Sequence, residues 1–224
     1  MNFPPMDGSR KCWRVNGITY YWRNGQLICR TSKNEKRAPR KDENGKELPL
    51  RSPAQEKSSS VFSEAQAMTK AYFLAHGHLL IWVVAPKTKP GQSSWALHRH
   101  LNKAAYVPDE GVRYFNSYRF SHGILELPDN FTVRRDGWHV TLEWEDDRDQ
   151  PAAAAGDLLF VGYFHGGYPR SPLLVPATGA TRGEQRAEFD IPPLDQPDGG
   201  VLHLYPFFGR ADKSAYAGSY YMRC

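Results

Sequence analysis

Two His-x-His pairs have the spacing in this chain that comes closest to a metal site. His76 and His78 form one pair, and His98 and His100 form the other. Side chains two positions apart on a helix do not share a face, so neither pair makes the i, i+4 grip of a helical metal site. One pair falls at a predicted helix end and the other inside a predicted helix. Surface histidines are therefore the favoured interpretation, and chelation from a strand is the alternative.

The other residues with reactive side chains form no specific catalytic pattern. The cysteines are scattered and include no Cys-x-x-Cys pair, which argues against a zinc site or a disulfide scaffold. The acidic run from Glu143 to Asp149 resembles a calcium loop only in composition, because the glycine and spacing of an EF-hand are missing. A hydrated strand exit is favoured instead. No Gly-x-Ser-x-Gly elbow occurs. We therefore expect a protein that is not an enzyme, with no metal, no cofactor and no small-molecule substrate.

The stretch TYYWRNGQLICR, from Thr19 to Arg30, predicts a hairpin. Asn24-Gly25 suits a two-residue turn, as does Asn16-Gly17 before it, because both turn positions need positive φ. This register pairs Val15 with Ile18, Arg23 with Gln26 and Cys12 with Tyr21. It makes a core face of Ile18, Tyr20, Trp22, Leu27 and Cys29, and a mixed face of Thr19, Tyr21, Arg23, Gln26, Ile28 and Arg30. Because Cys12 and Cys29 lie on opposite faces, a disulfide between them is disfavoured.

A basic loop and two helices are expected next. Residues 1–57 hold 13 Lys and Arg against 6 Asp and Glu, and residues 31–57 show no apolar periodicity. Such asymmetry is typical of a solvated basic loop or of a nucleic-acid arm, and the loop is favoured. A helix is predicted from Ser52-Pro53 to near Gly77, and another from Ser93 or Ser94 to Ala105. Between them LLIWVVAP reads as a buried strand.

After Leu127-Pro128 the pattern becomes that of short strands separated by Gly, Pro and Asp turns. FTVRRDGWHVTLEW predicts a hairpin whose second arm alternates cleanly, and LLFVGYF, PLLVPAT, RAEFDIP, VLHLYPFF and SAYAGSYYMR follow at regular spacing. This is typical of an immunoglobulin-like or fibronectin III-like β-sandwich. The predicted fold is mainly β with an α+β N-terminal part: 1–128 holds the hairpin and helices, and 129–224 holds the sandwich.

The chain as a whole resembles an uncharacterised bacterial family from gut anaerobes, catalogued as a domain of unknown function. Its opening Arg-Asn-Gly hairpin is matched by Gly17, Tyr21, Arg23, Asn24, Gly25 and Arg30. RSPAQEKSSSVF, VTLEWEDD, ATGATRGE and VLHLYPFFGRADKSAYAGSYY match later segments, although the loop between Lys33 and Arg51 is longer than usual. The resemblance implies the two-part architecture with an Ig-like C-terminal domain. It implies no functional residues.

These patterns favour a non-catalytic structural or protein-interaction module, part of a larger assembly such as a phage-like particle or an appendage. Its partner would be a protein, either a second copy or another chain. The candidate partner-contact surface is Tyr21, Arg23, Arg30, Lys36, Arg37 and Arg40, and the candidate edge strand carries Tyr216, Tyr220 and Tyr221. One alternative is nucleic-acid binding by the basic, aromatic N-terminal part. Another is carbohydrate binding by the three C-terminal tyrosines.

No secretory signal is evident at the N-terminus, MNFPPMDGSRKCW, because it lacks an apolar segment. The longest apolar run, Leu79 to Ala85, is too short to span a bilayer. We therefore expect cytoplasmic synthesis and no membrane partner, which is compatible with later incorporation into a particle or an extracellular assembly.

Overall fold

The computed structural model describes residues 12–15, 18–23, 26–31, 41–47, 49, 51–146, 153–192 and 200–224, without the side chains of 12–15 and 23. The chain forms two compact units, Met1–Ser52 and Pro53–Cys224. The described residues are mainly strand, in antiparallel sheets, with a smaller share of helix. This confirms the predicted mainly β fold with an α+β part.

The first unit contains a three-stranded antiparallel meander. Its strands are β1 (Cys12–Val15), β2 (Ile18–Arg23) and β3 (Gln26–Thr31). The predicted register is confirmed, with Val15 opposite Ile18 and Arg23 opposite Gln26. The two Asn-Gly turns themselves lie outside the described residues.

The prediction that one face of this meander is buried in a core is wrong. Trp22 and Leu27 are 43% and 44% exposed, and Cys29 is exposed too. Strands of four to six residues form one layer, and an apolar face is buried only where a second layer covers it. Among the meander side chains that the structure describes, none is fully buried.

The second unit begins with a helical layer. Helix α1 (Pro53–His76) begins at the predicted proline and is followed by a 3₁₀ turn, Gly77–Leu79. Helix α3 (Ser94–Asn102) is capped by Ser93, whose hydroxyl accepts from Ala96 N, and continues as a 3₁₀ turn, Lys103–Ala105. A two-stranded ribbon of β4 (Tyr106–Val107) and β5 (Gly111–Val112) precedes a third 3₁₀ turn, Phe115–Ser117. The predicted helices are thus confirmed.

The strand predicted for LLIWVVAP is instead a one-turn helix, α2 (Ile81–Val84). Leu80, with φ of 62°, ends the preceding 3₁₀ turn in the left-handed conformation and starts α2. Ile81 and Trp82 are buried whereas Val83 and Val84 are exposed. A helical turn produces two adjacent buried residues followed by two exposed ones, whereas a strand alternates residue by residue. A short apolar run does not by itself distinguish these two structures.

Two antiparallel sheets make up the rest of the second unit. One has the order β10-β7-β6, from β6 (Asp129–Asp136), β7 (His139–Glu145) and β10 (Arg186–Asp190). The other has the order β12-β11-β8-β9, from β8 (Leu158–His165), β9 (Leu173–Leu174), β11 (Leu202–Gly209) and β12 (Met222–Arg223). Residues from both sheets, among them Val140, Leu142, Val161 and Leu204, share one hydrophobic core. The two sheets therefore pack as a β-sandwich.

The central strands β8 and β11 are buried on both faces. Leu159, Val161, Leu204 and Phe208 belong to the core between the sheets. Phe164, Tyr205 and Phe207, on the opposite face, belong to a second core together with residues of α1, α2 and α3. The four-stranded sheet is thus the middle layer between the other sheet and the helices.

Polar contacts fix the helical layer to this sheet. Glu64 of α1 accepts from Arg170, in the turn after β8, at 2.9 Å. The His76 ring donates to the Pro172 carbonyl at 2.9 Å. The division into compact units falls after Ser52. The domain boundary expected near Leu127-Pro128 stays a prediction.

Candidate functional site

Five large apolar side chains of the helical layer are exposed, namely Leu74, Leu80, Val83, Val84 and Trp95. Leu74 is 77% exposed and Val83 is 53% exposed. Trp95 stacks on Phe73 of α1 at 4.9 Å between ring centroids, with 14° between the planes. We call these five residues the helical apolar surface.

Burial of the neighbouring residues positions this surface. Trp82 of α2 is buried edge-on against His98 of α3, at 4.8 Å between centroids, so that Val83 and Val84 must point outward. On α1, Tyr72 is buried and Leu74 lies two positions along, on a different face. Each of these side chains is exposed on the helical layer, and exposed apolar residues that form a contiguous surface are typical of protein–protein contact sites.

A cleft of about 530 Å³ lies between the segment at 115–122, which begins with the 3₁₀ turn Phe115–Ser117, and the C-terminal segment at 218–221. Its lining combines aromatic, basic and small polar side chains: Leu101, Ala104, Asn116, Ser117, Tyr118, Arg119, Ser121, His122, Gly218, Ser219, Tyr220 and Tyr221. Among these described residues none is a carboxylate. The volume falls within the range of pockets that hold small organic ligands.

Three buried or half-buried side chains hold the walls of the cleft in place. Asn102, the last residue of α3, accepts from Arg119 N at 2.6 Å and donates to Arg119 O at 3.0 Å. The Ser219 hydroxyl accepts from Phe120 N at 3.0 Å, and the Ser121 hydroxyl donates to Ala217 O at 2.8 Å. The backbone that presents Arg119 is therefore fixed from both sides.

The electrostatic character of the cleft is basic. Arg119 is exposed, and no ion pair of the described residues includes it. Partial burial lowers the pKa of His122, and the charges of Arg119 and Lys87 lower it further. His122 is therefore neutral at pH 7 and Arg119 carries the positive charge of the lining.

The predicted partner-contact surface of the hairpin is described only in part. Tyr21 is half-buried and Arg30 is exposed, on adjacent strands. The side chain of Arg23 and all of Lys36, Arg37 and Arg40 lie outside the described residues. That surface therefore stays a prediction.

The three C-terminal tyrosines do not share one exposed edge. Tyr216 is buried, and its hydroxyl donates to Leu79 O. Tyr220 is 45% exposed and stacks on Phe131, and Tyr221 is half-buried, with its hydroxyl 3.0 Å from His203 Nδ1. Tyr220 and Tyr221 line the cleft. Met222–Arg223 of this segment form β12, which pairs with β11, so the chain's own last strand makes one edge of the four-stranded sheet.

One member of each His-x-His pair is buried, contrary to the expected surface positions. His98 is fully buried, sharing a hydrogen bond of 2.9 Å with Thr69 Oγ1, and burial lowers its pKa to about 3. His76 is buried against the sheet, whereas His78 and His100 are exposed. Each pair is thus split between the core and the surface. Within the described part of the chain, no group of three or more His, Cys, Asp and Glu side chains could hold a metal ion.

In the described part of the acidic run, Glu143 and Asp146 form ion pairs and Glu145 accepts from the Asn130 amide at 2.6 Å. Asp146 accepts from the buried Arg182 at 2.5 Å, and Glu143 pairs with Arg186 at 3.2 Å. The Arg182 carbonyl also accepts from the Trp144 indole at 2.8 Å. The acidic run therefore connects the C-terminal end of β7 to the segment at 182–186 through ion pairs. Asp147 and Asp149 lie outside the described residues.

Sequence reasoning did not find Asn102, Arg119, His122 or the helical apolar surface. The cleft residues lie far apart in sequence and show no motif. The feature of the sequence that could have indicated the apolar surface is the left-handed turn before Val83 and Val84. A leucine forms that turn instead of the glycine that usually marks such positions, so the sequence does not display it.

None of the helices that the structure describes is both long and apolar enough to cross a membrane. In comparisons with known proteins, no family model matches the chain and no curated protein is significantly similar to it. The resemblance to the family from gut anaerobes therefore stays a prediction, and the candidate sites rest on their geometry.

Proposed function

We propose that this chain is a non-catalytic protein-interaction module, built on an immunoglobulin-like sandwich, that joins a larger assembly through the helical apolar surface. The exposure of Leu74, Leu80, Val83, Val84 and Trp95 on one helical layer is the observation that carries the proposal. Covering a large aliphatic side chain contributes about 1.5–3 kcal/mol. A partner that covered this surface would therefore gain several kcal/mol before its binding costs.

The partner is a protein that contacts the helices rather than an edge of the four-stranded sheet. The outer strands of the four-stranded sheet, β9 and β12, have two residues each, which is short for templating an added strand. A hydrophobic surface centred on a helix suits a helix or groove of the partner instead. The partner is a second copy or another chain of the same assembly.

Site-specific photo-crosslinking tests this proposal. A photoreactive amino acid at Val83 should give a crosslinked product, either with a second copy in the purified protein or with one partner in the native host. The matched control is Thr132, which is exposed on β6, on the other sheet. Light scattering at high micromolar concentration measures self-association, and Val83→Glu should abolish it. A strictly monomeric protein with no product specific to Val83 would refute the proposal.

Nucleic-acid binding is a second candidate because Arg30 is exposed beside the half-buried Tyr21 on neighbouring strands. Phosphate contacts by Arg and Lys would make such binding strongly salt-dependent. An electrophoretic shift with single-stranded RNA or DNA at low ionic strength, weakened in Arg30→Gln, supports this function. The absence of a shift at low salt would end it.

A further inference from the structure

The cleft at 115–122 and 218–221 is a second surface, separate from the helical apolar surface, and its lining is more specific chemically. Its lining includes one guanidinium, Arg119, and two partly exposed tyrosine rings, Tyr220 and Tyr221. Asn116 and Ser117 also line it, and their side chains are exposed and form no hydrogen bond with other described residues. A ligand would therefore find one cation, two aromatic surfaces and free polar groups.

We propose that this cleft binds an acidic saccharide, with Arg119 holding the sugar's carboxylate and the tyrosines contacting its ring. A guanidinium presents a planar fork of donors that matches a carboxylate in a bidentate pair. Tyrosine offers an apolar ring for the C–H face of a sugar and a polar tip for its hydroxyls. Asn116 and Ser117 supply a donor and an acceptor each for the remaining hydroxyls.

The charge of the lining favours a carboxylated sugar over a nucleotide. Phosphate groups of a nucleotide usually meet several cationic groups or the N-terminus of a helix. Here Arg119 is the one charged side chain among the described lining residues at neutral pH, since His122 is neutral there. A single positive charge suits a single carboxylate. The volume of about 530 Å³ accommodates a mono- or disaccharide.

The fixed backbone around Arg119 strengthens the assignment. Asn102 holds the Arg119 peptide by two hydrogen bonds, and Ser219 ties the facing segment to Phe120 and Ser121. A site whose walls are already ordered loses less conformational freedom when a ligand binds. The cleft is thus organised before the ligand arrives.

Two-dimensional NMR of the full chain, titrated with D-glucuronate, tests the proposal. Saturable shifts should be confined to the cleft segments, and neutral D-glucose should bind at least about tenfold more weakly, because a hydrogen bond to a charged group is lost. Arg119→Gln should weaken glucuronate binding by about tenfold or more. Tyr220→Ala should weaken both sugars.

Arg113→Gln is the matched control. Arg113 is exposed in the same region but pairs with Glu110 and does not line the cleft. This variant should bind glucuronate as the wild type does. The His122 ring gives a further readout, because a carboxylate that offsets the Arg119 charge raises the pKa of His122 on binding.

Three results would overturn the proposal. The first is a lack of saturable shifts in the cleft, and the second is equal binding by the Arg119→Gln and wild-type proteins. The third is acetate that produces the same shifts with the same affinity, which would mean that the cleft takes a carboxylate alone and does not recognise a sugar.

Discussion

Replacing Gly162 with alanine should strongly destabilise the second unit. Gly162 lies in β8 opposite Tyr205, on the face that meets the helical layer. A Cβ atom at this position would lie 2.3 Å from two ring carbons of Phe120. Carbon atoms in contact are ordinarily about 3.5–4.0 Å apart. The Phe120 ring would therefore have to move by more than about 1 Å.

The surroundings of Phe120 make that movement costly. The ring is fully buried and packs against Tyr72, at 5.2 Å between centroids, and against Phe207, at 6.0 Å. Overpacking a tight core costs about 1–3 kcal/mol, and rigid neighbours on several sides place this site at the upper end, at about 3 kcal/mol. In a unit of this size such a loss lowers Tm by about 6–12 °C.

Urea and thermal unfolding of the Gly162→Ala protein measure this loss. Gly156→Ala is the control, because a Cβ there meets nothing within 4 Å, and its stability should change by less than about 0.5 kcal/mol. Adding Phe120→Leu to Gly162→Ala should lower stability by less than the sum of the two single losses, since the smaller side chain relieves the overlap. Wild-type stability in Gly162→Ala would refute the packing of Phe120 on β8.

Two further substitutions test the sandwich and the helical core. Arg182→Met should lower the free energy of unfolding by about 3 kcal/mol or more in urea, since it leaves the Asp146 carboxylate buried without its partner. The control Arg186→Met, at an exposed ion pair, should change stability far less. For His98, burial lowers the folded pKa to about 3, below the unfolded value of about 6.5. Between these two values the unfolded state binds one more proton than the folded state. The free energy of unfolding therefore falls by about 1.4 kcal/mol for each pH unit by which the pH is lowered. In urea unfolding from pH 6 to 4, His98→Gln should reduce the dependence of stability on pH by the contribution of about one proton. The exposed His100→Gln should leave that dependence unchanged. An equal dependence on pH in both variants would contradict the burial of His98.

Local patterns were enough to predict the strands and their register in the hairpins. Asn-Gly pairs restrict the turn to two residues, and that alone aligns Val15 with Ile18 and Arg23 with Gln26. Clean alternation in WHVTLEW likewise identified which residues of β7 face a core, since Val140, Leu142 and Trp144 are all buried. These features depend on neighbours within a few positions, which a sequence displays directly.

Features that depend on distant partners could not be predicted in the same way. Tyr216 looks like a surface tyrosine in a polar, small-residue stretch, yet its ring is buried against Phe160 and Phe207. Its hydroxyl donates to the Leu79 carbonyl, 137 positions away in sequence. The cleft arises where Asn102 meets Arg119 and Ser219 meets Ser121. Asparagine and serine carry no periodic signal, so neither contact is visible before the chain folds.

The burial of both faces of β11 bears on whether residues 129–224 can fold alone. In VLHLYPFF apolar and aromatic residues are almost continuous, and such a run is typical of a strand buried on both faces. Fragment 129–224 would expose Phe164, Tyr205 and Phe207, which are now fully buried against the helical layer.

At about 1.5–3 kcal/mol for each side chain, that exposure costs about 5–9 kcal/mol, comparable with the total stability of a domain. Fragment 129–224 should therefore remain unfolded or aggregate, whereas fragment 53–224 should unfold cooperatively in urea. A dispersed NMR spectrum and a cooperative transition for fragment 129–224 would show instead that the sandwich is an independent domain and that the helices are an accessory to it.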